Sequence, residues 1–237
     1  MLGLVTLTGI DERTDPDEII ELKQEYPFLE FGVLISEDRT GKENRYPRLE
    51  TLKKYDGKEL DLSLHVCGSM ARNVAHNADW RPLYEMAQEY WHMFNRIQLN
   101  ISNIASLNKG KGFSKEIKFI KHKRFIIQIS PDSSAIYNFY KKRTNVAGFQ
   151  DGSGGLGISP DAWLPSDEPF FGYGGGLGPD NVEREIQKIM EINKNPFWID
   201  MEAKLRTDDW LDIKKCRRVA EICACYVIHR YDLAKSP

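Results

Sequence analysis
Two glycine clusters in the second half of the chain set the scene for chemistry: Gly152-Ser153-Gly154-Gly155-Leu156-Gly157 and Gly174-Gly175-Gly176-Leu177-Gly178. Each follows a short apolar run, and the second passes through Pro179-Asp180-Asn181 into an amphipathic stretch over residues 182–192. Glycine lets a backbone approach a ligand closely, and a helix N-terminus offers free N–H groups and partial positive charge to an anion. Gly154, Gly155, Gly175 and Gly176 are therefore candidates for a phosphate cradle, with two tight turns as the plain architectural reading. Asp151, directly after an apolar run, is a candidate proton donor or acceptor, or else a solvated loop residue.

Asp200, Glu202 and Lys204 alternate, so they share a face for as long as their strand persists. An inward row of two acids and a lysine is costly unless it performs chemistry or is fully paired. Lys204 also has the nucleophile needed for Schiff-base chemistry. His65 and Cys67 share a face by the same alternation and form either an acid–base pair or a packed histidine beside a buried thiol. Arg45, in the polar loop 36–44 and its end, is a ligand clamp or a surface charge.

The elements that must position these residues follow a regular plan. Apolar runs at 4–8, 28–35, 62–66, 96–101, 125–129, 146–150, 170–173 and 197–201 read as strands, mostly apolar throughout. Helix-like stretches separate nearly all of them. Asp15-Pro16-Asp17 starts a helix to residue 25, Pro47 heads a short one, and 80–94 carries Leu83, Met86, Ala87, Tyr90 and Phe94 at helical spacing. A weak helix is expected at 114–121, one capped by Asp132 runs to 142, and further helices cover 182–192 and 208–228. Buried strands alternating with helices indicate a parallel sheet with both faces covered. Eight such units in 237 residues fit one closed (β/α)8 TIM barrel spanning residues 1–237, in preference to an open doubly wound sheet.

Bulk properties narrow the function. The net charge of −2 gives no electrostatic reason to expect nucleic acid or an acidic membrane as partner. The lysines at 109, 111, 115, 118, 121 and 123 with Arg124 form a basic run that reads as a solvated face. No apolar run approaches the roughly 20 residues that span a bilayer. The first residues, Met1-Leu2-Gly3-Leu4-Val5, lack the basic flank of a signal peptide, so a cytoplasmic location is expected. Cys216, Cys223 and Cys225 lack zinc spacing and read with Cys67 as buried free thiols, so no metal or other cofactor is expected. Trp80, Tyr84, Tyr90, Trp91 and Phe94 suit packing or an oligomer face, which leaves homo-oligomerisation open.

From the sixth strand onward the sequence resembles the phosphoribosylanthranilate isomerase family. Three signatures carry the resemblance, in family order. A strand followed by Asp151 and the loop Gly152–Gly157, then Asp161-Ala162-Trp163, is similar to the family's strand–Asp, Gly-Gly-Thr-Gly and Asp-Trp series. Gly175-Gly176-Leu177-Gly178-Pro179-Asp180-Asn181-Val182 resembles its Gly-Gly-Leu-x-Pro-Glu-Asn-Val turn. Ile199-Asp200 and Leu211-Asp212 resemble its last-strand aspartate and a later Lys-Asp-like pair. Asn44-Arg45-Tyr46 is similar to a Lys-Arg-Tyr segment whose arginine faces the substrate, and Gln128 also fits a family position.

The resemblance implies a TIM barrel that isomerises an amino-aldose to an amino-ketose, with a cysteine at the end of the first strand as general base and Asp151 as general acid. Here Thr6-Leu7-Thr8-Gly9 aligns with the family's Lys-x-Cys-Gly, so Thr8 holds the base position. A threonine hydroxyl is a far poorer base near neutral pH than a thiolate. Where the family has a Ser-Ser-Gly turn that helps bind phosphate, this chain has Met201-Glu202-Ala203-Lys204. Glu202 would repel a phosphate unless Lys204 or an arginine offsets it. The expectation is therefore a divergent isomerase acting on a phosphorylated sugar or nucleotide-like small molecule. The alternative is a ligand-binding or regulatory barrel that has lost the chemistry.

Overall fold
In a computed structural model, residues 1–77, 79–101, 123–129, 134, 137–138, 141, 145–151 and 157–227 are described. Eight strands, β1 (Leu2–Thr8), β2 (Leu29–Ile35), β3 (Leu62–Val66), β4 (Phe94–Leu99), β5 (Arg124–Ile129), β6 (Val146–Gln150), β7 (Phe171–Gly174) and β8 (Phe197–Met201), pair in chain order. Every pairing is parallel, and β8 returns to β1 with Thr6 opposite Asp200, which closes a (β/α)8 TIM barrel.

The alternation of side chains divides each strand between two cores. Val5, Leu7, Phe31, Val33, Leu64, Ile97 and Ile199 face outward and pack under the helices with Ile19, Leu22, Val74, Ile186 and Val219. Leu4, Ile126, Phe149, Phe170 and Trp198 face inward and fill the lower barrel. Full burial of such a side chain is worth about 1.5–3 kcal/mol over leaving it exposed.

The helices form where local chemistry starts them. In α1 (Pro16–Glu25), proline opens the first turn and the Asp15 carboxylate accepts from the Asp17 amide at 2.9 Å, while Ile19 and Leu22 face the strands. In α4 (Val182–Ile192), Val182, Ile186 and Ile189 make the buried stripe. Trp163 of the Asp-Ala-Trp signature anchors this helix, its indole N–H donating to Glu185 at 3.0 Å.

Two expected elements are corrected and one is added. The stretch 80–94 is not one helix: α3 (Arg81–Ala87) gives way to a 3-10 segment (Gln88–Met93), and Phe94 already belongs to β4. An additional helix, α2 (Gly68–Asn77), follows β3, with Met70, Ala71, Val74 and Ala75 on its buried side. The last helix, α5 (Ile213–Ala224), starts five residues later than expected. Asp208 and Asp209 instead take positive φ (50° and 65°) in the turn of a hairpin between β9 (Arg206–Thr207) and β10 (Trp210–Leu211), and Asp212 caps α5 by accepting from the amides of Lys214 and Lys215.

Cys67, Cys216 and Cys223 are buried, but Cys225 is exposed, against expectation. Trp80, Tyr90 and Phe94 are buried and Tyr84 is exposed, so this aromatic set is mostly core. Most of the basic run and the helices expected at 114–121 and 132–142 lie outside the described residues or are described only at scattered positions. Lys123 is structural rather than solvated, since its ammonium donates to the carbonyls of Trp91 and Phe94. No described helix is long and apolar enough to cross a membrane.

Candidate functional site
A cavity of about 580 Å³ opens at the C-terminal ends of the barrel strands. Thr8, Arg45, His65, Cys67, Gln128, Asp151, Gly175, Gly176, Asp200 and Lys204 all line it. These ten residues come from seven strands or the loops that follow them, so barrel closure is what brings them together. Gly154 and Gly155 lie outside the described residues.

The floor is polar and organised around Asp200. The Thr8 hydroxyl donates to Asp200 Oδ1 at 2.6 Å, and the Gln98 amide donates to Oδ2 at 3.1 Å. Gly32 on β2 leaves the room for this arrangement, because a Cβ there would collide with the Thr8 hydroxyl and lie 3.0 Å from His65 Nε2. Burial raises the Asp200 pKa to about 6, against the two hydrogen bonds and Arg96, which lower it, while the charge of Asp151 raises it further.

His65 sits 3.8 Å from Asp200 through Nδ1, which also meets the Gln98 amide at 3.2 Å, and its Nε2 meets Ser63 Oγ at 3.0 Å. Burial lowers the His65 pKa to about 4, so the ring is neutral near pH 7. Cys67 accepts from the Asn100 amide at 3.3 Å and bonds the Tyr46 hydroxyl, and burial raises its pKa so that it stays a thiol. The His65 and Cys67 side chains do not hydrogen-bond to each other. The shared face is present, and the two side chains are linked indirectly, because the Gln98 amide that meets His65 also donates to Asn100 at 3.1 Å and Asn100 donates to Cys67.

The expected acid–acid–lysine row is broken by the end of β8 at Met201. Glu202 turns to two arginines, Arg45 Nη1 at 3.4 Å and Arg206 Nε at 3.2 Å. Burial raises the Glu202 pKa, and Arg206 and Arg45 oppose that shift. Arg206 in turn reaches Asp11 at 3.4 Å, and Arg45 reaches Asp209 in the β9–β10 turn at 2.5 Å. These two guanidinium groups are shared with Asp11 and Asp209, so the repulsion that Glu202 would exert on an anion is offset in part. Arg45 is consequently a bridge from the β2 loop to the β9–β10 hairpin, although it still borders the cavity.

Lys204 follows in a 3-10 turn (Ala203–Leu205), and its aliphatic chain runs across Gly178, where a Cβ would come within 2.5 Å of Lys204 Cβ. Among the described residues its ammonium has no acidic partner. The glycine turn beside it is held by its own bonds: the Asn181 side chain accepts from the Gly178 amide and donates to the Gly176 carbonyl, both at 2.9 Å. Gly176 has φ +62° and lies against the backbone of residues 157–159, where no side chain fits. The amides of Asn181 and Val182 already donate to the Gly178 carbonyl. The cavity therefore meets the turn at Gly175–Leu177 and not at the start of α4 itself, which corrects the expected emphasis on the helix terminus.

Several lining residues escaped the sequence reading. Gln98 and Asn100 continue an inward row from Arg96 on β4, a period-2 signal that the apolar neighbours Ile97 and Leu99 make visible. Arg39, Tyr46 and Arg72 form part of the rim, with the Arg39 guanidinium 4.1 Å over the Tyr46 ring.

Barrel and cavity together define a (β/α)8 protein with a polar, charged pocket at the end of the barrel where such folds build their sites. No protein-family model matches the sequence, and no curated protein matches it. Solved structures are similar in fold. A phosphoribosylanthranilate isomerase from Thermotoga maritima superposes with a TM-score of 0.58 at 12% identity, covering 94% of this chain and 100% of that chain. An N-(5'-phosphoribosyl)anthranilate isomerase from Pyrococcus furiosus gives 0.54 at 14% identity, covering 94% and 99%. A phosphoribosylanthranilate isomerase in complex with reduced 1-(o-carboxyphenylamino)-1-deoxyribulose 5-phosphate gives 0.57 at 12%, covering 94% and 100%. Identities this low speak for the barrel fold alone.

Proposed function
We propose that this chain is a single-domain cytoplasmic barrel that binds a phosphorylated sugar-like small molecule in the cavity and catalyses an isomerase-type proton transfer on it. The observation that carries the reading is Lys204: a cation without an acidic partner among the described residues, laid across Gly178 at the edge of the pocket beside Gly175 and Gly176. A phosphate between that ammonium and the glycine turn would gain charge-assisted hydrogen bonds. The pairing of Glu202 with Arg45 and Arg206 supports the same reading, because it offsets part of an acidic charge in the pocket lining. The similar fold of a solved isomerase holding a deoxyribulose 5-phosphate derivative supports it too.

The alternative, a binding or regulatory barrel without turnover, draws on Thr8. Its hydroxyl is already committed to Asp200 and supplies no base of its own. The two readings share the phosphate site and part over catalysis. Calorimetric titration with inorganic phosphate and with ribose 5-phosphate tests the shared claim. Wild type is expected to bind both, and Lys204→Ala to weaken both about tenfold, a loss of roughly 1.4 kcal/mol. Equal affinity in Lys204→Ala, or no binding by wild type, would remove the phosphate site from the account. Lys204 is a cleaner probe than Gly176, where any side chain disrupts the turn itself.

A further inference from the structure
The cavity contains several groups of the right type to move a proton, and their contacts eliminate most of them. Thr8 is a donor to Asp200. Cys67 is a buried thiol held by Asn100 and Tyr46. His65 has both ring nitrogens occupied, by Ser63 and Gln98. Glu202 is held between two arginines. Arg96, buried on β4 below the cavity lining, is spent on Glu30 at 3.0 Å and on the Trp198 ring at 4.3 Å. Asp200 differs from all of these: its carboxylate is fixed at both oxygens by neutral donors, makes no ion pair with a lysine or arginine among the described residues, and borders the cavity.

We infer that Asp200 is the catalytic proton-transfer group of this cavity, with Thr8 as its positioning residue and a carbon acid next to a sugar carbonyl as its target. The inference rests on the phosphorylated-sugar reading above and adds to it the group that does the work. In the step, the Asp200 carboxylate takes the proton from the carbon beside the carbonyl, and the C–H pair becomes the C=C bond of an enediol. The carbonyl oxygen takes up a proton from Asp151, which also lines the cavity and enters the step in its protonated form. Neutral Asp200 then returns its proton to the former carbonyl carbon. Asp151 recovers its own from the neighbouring hydroxyl, so an aldose becomes a ketose with no other reactant.

The pH dependence must be weighed against every ionisable neighbour: His65 from β3, Arg96 from β4, Asp151 after β6 and Glu202 after β8. Of these, Asp151 raises the Asp200 pKa and Arg96 lowers it, whereas the Thr8 hydrogen bond favours the charged carboxylate. Removing the Thr8 hydroxyl therefore moves the acidic limb of a rate profile to higher pH.

The experiment is proton NMR of ribose 5-phosphate in D2O, following loss of the C2 proton signal with the full chain. Wild type is expected to exchange it, and Asp200→Asn to slow exchange by about 100-fold or more. Thr8→Val is expected to exchange with its acidic limb shifted upward. Exchange in folded Asp200→Asn within threefold of wild type would overturn the proposal, as would a Thr8→Val profile superimposable on wild type. No exchange by a wild-type protein that binds inorganic phosphate calorimetrically would overturn it and leave the binding site standing. If neither is seen, both readings fall.

Discussion
Two buried carboxylates occupy the same barrel and have opposite surroundings. Glu30, on β2 in the lower interior, accepts from the Arg96 guanidinium at 3.0 Å and from the Thr6 hydroxyl at 2.9 Å. Asp200, on β8 at the cavity floor, accepts from two neutral donors among the described residues, Thr8 and Gln98. Even the threonines correspond, since Thr6 and Thr8 are successive inward residues of β1. A carboxylate paired with its own cation has its charge compensated at all times, which suits a structural role. One held by neutral dipoles at an opening can gain or lose its proton, and that is the property catalysis needs.

The largest effect should come from breaking the lower pair. Arg96→Met leaves Glu30 buried without its cation and is expected to cost about 3–5 kcal/mol in urea unfolding. The double variant Glu30→Leu/Arg96→Met should recover most of that loss, because one Glu30 oxygen has no hydrogen-bond partner among the described residues. A single variant as stable as wild type would place Glu30 and Asp200 in the same category.

Asp200 should respond in the opposite direction. Its folded-state pKa is raised, to about 6 from 3.8, so the native state holds its proton more tightly than the unfolded chain. Stability from this group is therefore greatest below pH 4 and is lost as pH rises through 6. Asp200→Asn is expected to stabilise the protein by about 1–3 kcal/mol at pH 8, with the difference vanishing below pH 4. Thermal denaturation across that range checks both sign and window.

The smallest expected effects sharpen the contrast. Thr6→Val and Thr8→Val each remove one buried hydrogen bond and should each cost about 1 kcal/mol in urea unfolding. The two should then separate by pH, because Thr8→Val alone alters the dependence assigned to Asp200. Equal pH behaviour of the two variants would erase the distinction between the two layers.

The barrel was legible because its strands announce themselves. Leu62–Val66, Val146–Gln150 and Phe197–Met201 are apolar runs with clear turn signals, and their expected bounds match those observed. Helix α4 was legible through its stripe of Val182, Ile186 and Ile189. Missed elements had weaker or misleading local signals. Helix α2 begins on a glycine and mixes small residues with polar ones, which blurs its apolar stripe. The aromatic spacing from Leu83 to Phe94 continues past the true end of α3, because β4 needs Phe94 for the core. In the site, Asp200 and Thr8 were each visible, but their bond was not. It spans 192 positions and exists only because β1 and β8 close the barrel. Gln98 was legible in the alternation of Arg96, Gln98 and Asn100 with Ile97 and Leu99, and treating the strand as apolar throughout passed over it.

The most direct test of the distinction between the two acids is a carboxyl-carbon NMR titration of Asp200, assigned by its disappearance in Asp200→Asn and repeated in Thr8→Val. The account predicts a midpoint about two units above the ordinary aspartate value, near 6, moving higher in Thr8→Val. A midpoint at the ordinary value, unmoved by loss of the Thr8 hydroxyl, would contradict it and leave Asp200 a structural carboxylate like Glu30.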